Sequence, residues 1–119
     1  MAIEKWSDQI TIARLSADAH LNDDLQTLCE HAAANTIDIV LDLGSVRYIN
    51  SSHIARLLKL RKQMLAQGGR LMLCAVDPQV WGAFLVTGLD KIFEFVQAVP
   101  LALATLQLAR EEKPNVENP

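Results

Sequence analysis

Short apolar runs alternate along the chain with segments in which apolar residues recur every three or four positions. The runs cover residues 3–17, 37–44, 70–76 and 91–99. Their β-branched and leucine residues, bounded by glycine and polar residues, predict strands. The polar sequence at 7–9 interrupts the first run, which therefore predicts either two short strands or one interrupted strand.

Helical periodicity follows each strand, and the predicted helices cover 21–35, 51–67, 77–88 and 100–112. Asn22 is the expected N-cap of the first helix. Asp77 and Pro78 give the third helix an N-cap and a proline at its first position, and Gly88 ends it. The glycines at 68–69 end the second helix.

The resulting order is β-β-α-β-α-β-α-β-α, which predicts an α/β fold with a mostly parallel sheet. We expect a mixed sheet of four to five strands with about four helices packed on it. One domain is expected over residues 1–112. The polar segment 113–119 contains two prolines and is expected to be a disordered tail.

The apolar positions of these elements predict the core. The run at 39–41 is continuously apolar, which is typical of a strand that is covered on both faces. On the second helix, Ile54, Leu57, Leu58 and Leu65 are assigned to one buried face. The predicted core contains Leu25, Leu28, Ile39, Leu41, Leu57, Leu58, Leu65, Leu71, Leu73, Phe84 and Leu85.

Composition excludes several classes of function. The chain has 119 residues, a net charge of −3 and an apolar share of 50%, which fits one domain with its own core. No basic stripe alternates with aromatic residues, so nucleic-acid binding is not expected. The N-terminus lacks the apolar core of a signal peptide, and no apolar run is long enough to insert into a membrane. A cytoplasmic protein is the expectation.

Motifs for catalysis and for cofactors are missing from the sequence. There is no glycine-rich phosphate loop, no Walker motif and no nucleophile elbow, so we expect no catalytic residues and no cofactor. The three histidines have no metal-ligand spacing, and Cys29 and Cys74 fit buried thiols. Asp42 ends the central strand, where it either serves a site or, as we favour, binds loop amides.

The sequence Asn50-Ser51-Ser52-His53 lies between the central strand and the second helix. A helix N-terminus presents unpaired N–H groups and a partial positive charge. A hydroxyl there can cap the helix, and a phosphoryl group on the same hydroxyl would be tolerated. From these residues alone, helix capping is the favoured interpretation.

An ordered set of features gives the sequence a wider resemblance over residues 37–95. A strand ends in Asp42-Leu43, the sequence at 50–52 follows, and the second helix closes at 68–69. Pro78 and Thr87-Gly88-Leu89 come next. In this order and spacing, the chain resembles the STAS domain of bacterial anti-sigma-factor antagonists.

That resemblance implies a partner and a switch. The antagonist would bind an anti-sigma factor, commonly a serine kinase, and so release a sigma factor. Phosphorylation at the position of Ser51 would break the complex, with Ser52 as the second candidate. The implied partner-binding residues are Asn50, Ser51, Ser52, His53, Arg56 and Arg47.

An alternative within the same resemblance is a STAS adaptor that is never phosphorylated. Its partners would be the ATPase of a lipid-transport complex or the proteins of a signalling scaffold. The sequence leaves the oligomeric state open. It departs from the family pattern at Asn50, where aspartate is usual, and at His53, where glycine is usual. It also departs at 16–20, where Asp18 or His20 lies near the family's acidic positions.

Overall fold

The computed structural model describes residues 1–16 and 19–112, and within them five strands and four helices follow the predicted order. The strands are β1 (Ala2–Lys5), β2 (Ile10–Ser16), β3 (Asp38–Ser45), β4 (Leu71–Cys74) and β5 (Glu94–Val96). The helices are α1 (Leu21–Ala34), α2 (Ser51–Ala66), α3 (Pro78–Thr87) and α4 (Val99–Glu112). Asp18 and the predicted tail at 113–119 lie outside the described residues.

The five strands form one mixed sheet in the order β1-β2-β3-β4-β5. β1 pairs with β2 in antiparallel orientation, and β2 to β5 are parallel to one another. Each crossover moves to the neighbouring strand in the same direction. Since such crossovers are right-handed, α1, α2 and α3 fall on one face of the sheet. The α/β fold class predicted from the sequence is confirmed.

The first apolar run forms two strands joined by a tight turn at Ser7. The Ser7 hydroxyl accepts hydrogen bonds from the backbone N–H groups of Gln9 and Ile10, each at 3.1 Å. Serine side chains favour turns because they can bind the backbone in this way. The turn reverses the chain, and β1 therefore becomes an edge strand.

β3 lies between two apolar layers. Ile39 and Leu41 contribute to the larger core with α1, α2 and α3, whereas Val40 belongs to a second cluster with Ala102 and Leu106 of α4. All three β3 side chains are fully buried. The prediction that this strand is covered on both faces is confirmed.

Eight of the eleven predicted core residues are buried, and three are not. Leu58, Leu65 and Leu85 keep 37%, 58% and 50% of their surface exposed, so their assignment to the core was wrong. On α2 the buried residues are Leu57, Leu60 and Met64, at i, i+3 and i+7. The helix has leucines on two sides, and packing on the sheet selects the side of Leu57, which was predicted correctly, over that of Leu58 and Leu65.

The ends of the helices agree with the sequence in part. α3 begins as predicted, with the Asp77 carboxylate accepting from the N–H of Gln79, and ends at Gly88 with a φ of 76°. α1 begins at Leu21 with no side-chain cap, so the expected capping role of Asn22 was wrong. After α2, a Cβ at Gly69 would lie 2.1 Å from the carbonyl oxygen of Ile37, so only glycine fits there.

No helix in the two described ranges has both the length and the apolarity needed to span a bilayer.

Leu41→Ala tests the position of the central strand. Because Leu41 is fully buried in the larger core, its truncation should lower the free energy of unfolding by about 2–5 kcal/mol. Leu65→Ala is the matched control, since Leu65 is 58% exposed and should change stability by less than about 0.5 kcal/mol. Urea denaturation measures both variants. Equal losses in the two variants would contradict the assignment of the core.

Candidate functional site

The carboxyl ends of the parallel strands bring two loops to the same edge of the sheet. The Asp42 carboxylate accepts from the N–H of Gly44 at 2.9 Å. The expected bond to a backbone amide is present, but Gly44 belongs to β3, which continues to Ser45, so the placement of Asp42 at the strand end was wrong. Arg47 donates to the carbonyl of Gly44, and its Nε lies 3.5 Å from the Asp77 carboxylate. The ion pair links the loop after β3 to the loop after β4. Sequence spacing gave no signal for this contact.

Asn50 and His53 form a reciprocal capping box at the start of α2. The Asn50 Oδ1 accepts from the His53 N–H at 3.0 Å, and the His53 Nδ1 accepts from the Asn50 N–H at 3.1 Å. Two N–H groups that a helix start leaves unpaired are satisfied in this way. The cap of α2 is therefore Asn50, and the favoured capping role of the serines was wrong.

The two serines occupy the first turn of α2 and have different surroundings. Both are exposed. The Ser52 hydroxyl accepts from the Asn22 side-chain amide at 3.0 Å, which joins the starts of α1 and α2. Within residues 1–16 and 19–112, the Ser51 hydroxyl makes no hydrogen bond. Of these two exposed serines, only Ser51 has a hydroxyl without a hydrogen bond to another described residue.

Backbone donors at this helix start remain open. The first intrahelical bond runs from the N–H of Ile54 to the carbonyl of Asn50. In the described part of the chain, the N–H groups of Ser51 and Ser52 have no acceptor. The first turn contains no acidic residue. Together with the positive end of the helix dipole, these donors make the surroundings of Ser51 favourable for negative charge.

The two predicted basic residues each bind another part of the domain. Arg56 is partly buried and donates to the side-chain oxygen of Gln26 on α1. Arg47 is exposed and faces Asp77. Tyr48 is 67% exposed, and its ring meets that of His53 edge to face at 6.5 Å. The structure thus ties Arg47 to the loops after β3 and β4, and Arg56 to α1.

Two titratable groups near this edge have shifted pKa values. Partial burial lowers the pKa of His53 from its ordinary value, which keeps the Nδ1 free to accept a hydrogen bond. Burial, together with the charge of Asp42, raises the pKa of the Cys74 thiol to about 12. The thiol donates to the carbonyl of Leu41 at 3.4 Å, which fits the predicted buried role. No group of three metal-binding side chains occurs among the described residues.

The capping box predicts a pH dependence of stability. Because the pKa of His53 is lower in the folded chain than its ordinary 6.5, the unfolded chain binds the additional proton as the pH falls. The contribution of His53 is therefore complete above about pH 6.5 and is lost toward the lower folded-state pKa. His53→Gln keeps an acceptor but does not titrate. Between about pH 7.5 and about pH 5.5, urea denaturation should show a smaller loss of stability in this variant than in the wild type. An equal loss of stability in the variant and the wild type over this pH range would exclude the assigned role of His53 in the capping box.

Known proteins that are similar to this chain include three anti-sigma factor antagonists or cell fate determinants. A Bordetella bronchiseptica protein, BtrV, provisionally named an anti-sigma factor antagonist, is 34% identical over 71 residues, which cover 60% of this chain and 61% of that protein. The Thermotoga maritima protein TM1081, also provisionally named an anti-sigma factor antagonist, has a TM-score of 0.77 at 16% identity, over 89% of this chain and 93% of that one. The phosphorylated form of SpoIIAA, a Bacillus cell fate determinant, has a TM-score of 0.69 at 20% identity, over 88% and 97%.

The structural similarities, at these identities, establish the fold. The sequence profile of the STAS domain matches residues 7–102, which is most of the chain. Strands β2 to β5, helices α1 to α3 and the loop before α2 fall within that match, whereas β1 and most of α4 lie outside it. The chain belongs to the STAS domain family.

Proposed function

We propose that this chain is an anti-sigma-factor antagonist that phosphorylation of Ser51 switches off. It binds an anti-sigma factor that is also a serine kinase, and a sigma factor is released as a result. The observation that carries the proposal is the exposed Ser51 hydroxyl at the first position of α2, with no hydrogen bond in the described part of the chain. BtrV and SpoIIAA support it by sequence similarity and by fold, respectively.

The fold can accept a phosphate on Ser51 without rearrangement. A phosphoryl group adds roughly 1.5 to 2 negative charges at neutral pH. Those charges would lie beside the open N–H groups of Ser51 and Ser52, at the favourable end of the helix dipole. The capping box of Asn50 and His53 does not involve either hydroxyl. Phosphorylation therefore changes the surface and leaves the domain folded.

Ser51 is a better acceptor than Ser52 because of what each hydroxyl already binds. A phosphate on Ser52 would disturb the hydrogen bond from Asn22 that ties α2 to α1. Ser51 has no such contact in the described residues. Modification at Ser51 therefore removes no hydrogen bond or ion pair among residues 1–16 and 19–112.

Asn50, His53, Arg47 and Arg56 complete the proposed partner-binding surface. His53 turns back onto Asn50, so the imidazole does not block the hydroxyl of Ser51 by a hydrogen bond. Arg47 is 62% exposed at its side chain, which leaves it accessible to an acidic group of the partner. This surface is for binding, and the proposal assigns no catalytic role to it.

Substitutions at Ser51 separate the switch from the fold. The Ser51→Ala protein is first used to capture the kinase from the native cell. This variant should stay bound to the kinase in the presence of ATP and should accept no phosphate. Ser51→Asp should fold normally, because a carboxylate suits a helix start, and should bind at least tenfold more weakly, which corresponds to about 1.4 kcal/mol. Ser52→Ala is the matched control and should still be phosphorylated. Titration calorimetry and peptide mass mapping after incubation with ATP measure these outcomes.

Two results would contradict the proposal. Phosphate on Ser52 alone would move the acceptor to the second serine. Absence of phosphate at both serines, with Ser51→Asp binding like the wild type, would favour the unphosphorylated adaptor, with a transporter ATPase or a scaffold protein as the partner.

A further inference from the structure

The side of α2 that faces away from the sheet carries an apolar stripe that begins at Ser51. We call this set of residues the outer stripe; it consists of Ser51, Ala55, Leu58, Lys62 and Leu65. Their spacing of three or four positions places them on one side of a helix. Leu58 and Leu65 are 37% and 58% exposed, whereas Leu57, Leu60 and Met64 fill the core from the other side. The two exposed leucines thus have no role in the core of this domain.

Charge is distributed unevenly around the outer stripe. Residues 43–76 contain six of the chain's 11 basic residues and none of its 14 acidic residues. Lys59, Arg61 and Lys62 form no ion pair with any residue in the described ranges. In a chain with a net charge of −3, this helix is a concentrated positive surface. Such a surface is complementary to an acidic partner.

A cavity of about 150 Å³ lies at the far end of the outer stripe. Leu65, Met64 and Arg61 of α2 form one wall, and Ile92 and Phe93 are among the residues that line the rest. A cavity of this size can hold a benzene ring, so it can accept one apolar side chain. Arg61 would then be within reach of an acidic residue next to that side chain. The lining also contains Arg70 and Glu94, which form an ion pair with each other. Arg61 is the lining charge without an ion pair among the described residues, so an apolar anchor with an acidic neighbour suits the cavity.

We propose that the outer stripe and this cavity bind a second segment of the same protein that binds at Ser51. The segment is acidic, packs apolar side chains on Leu58 and Leu65, and inserts one of them into the cavity. The inference rests on the proposed function and adds to it the extent and chemistry of the interface. Since Ser51 and Leu65 are fourteen residues apart on a helix, the interface extends over roughly 21 Å.

In this proposal the two ends of α2 have different roles in binding the partner. The phosphate acts at the N-terminal end, where the partner must approach Ser51. The outer stripe supplies apolar area and charge steering that do not change when Ser51 is phosphorylated. Stripe variants should therefore weaken binding of the phosphorylated and the unphosphorylated protein by similar factors.

Site-specific photocrosslinking in the native cell tests this interface. p-Benzoylphenylalanine is introduced at Ala55, at Leu58 or at Leu65, and at Leu108 of α4 as a control that is 58% exposed on the other side of the sheet. The three α2 positions should give an adduct with the same protein, and Leu108 should not. Mass spectrometry should locate the crosslinks from Leu58 and Leu65 in an acidic segment with apolar residues.

Charge reversal on α2 tests the same interface by a measurement of binding affinity. The double variant Lys59→Glu, Lys62→Glu should bind the purified crosslinked protein at least tenfold more weakly than the wild type. The double variant Lys59→Arg, Lys62→Arg should bind within about twofold of the wild type, because it keeps the charge. Lys59 and Lys62 are both exposed, so circular dichroism should show unchanged folding in both double variants.

The outcomes separate this inference from the proposed function. Crosslinks from Ala55 alone, adducts with nucleic acid or lipid, or no adduct from any of the three positions would overturn the outer stripe as a protein interface. Unchanged affinity after charge reversal would overturn its electrostatic basis. If all three positions crosslink one acidic protein that does not phosphorylate Ser51, the outer stripe stands and the phosphorylation proposal fails.

Discussion

Burial of β3 on both faces is the constraint on which the other features depend. Ile39 and Leu41 need the layer of α1, α2 and α3, and Val40 needs α4, so the strand is stable only when both layers are in place. Once β3 is fixed, the loop after it must emerge at the carboxyl edge of the sheet. That loop leads directly into Asn50 and α2, and the position of Ser51 therefore follows from the packing of β3.

A buried carboxylate holds the second layer in register at the opposite edge. Asp38 begins β3, is only 4% exposed, and accepts from the Arg70 N–H at 2.9 Å and from the Arg110 guanidinium at 2.8 Å. A buried charge needs such partners, because without them its desolvation would be costly. The pair with Arg110 ties the end of α4 to the start of the central strand. The small apolar cluster under α4 is therefore supported by an ion pair at the edge remote from Ser51.

The sequence predicted those parts of the fold whose signals are local. β3 was evident from its continuous apolar run, and α3 from Asp77, Pro78 and Gly88, because each signal lies within the element that it defines. The buried side of α2 was not evident from the sequence, because leucines occur on both sides of that helix and only the distance to the sheet decides which of them are buried. For the candidate site, the exposed position of Ser51 was predictable. The reciprocal bond between Asn50 and His53 was missed because histidine is an unusual third residue in a capping box.

The same two-sided character of α2 separates the residues that fold the domain from those that we propose bind a partner. Its inner side is used up by Leu57, Leu60 and Met64, and its cap is provided by Asn50 and His53. None of these side chains belongs to the outer stripe, although they lie on the same helix. At the proposed interface, substitution or modification of the outer residues would change association with little effect on folding, because the buried residues on the other side of the helix supply the free energy of folding. A phosphate on Ser51 would be an extreme case of this separation: it adds charge where the helix end favours it, and changes only what can approach from outside.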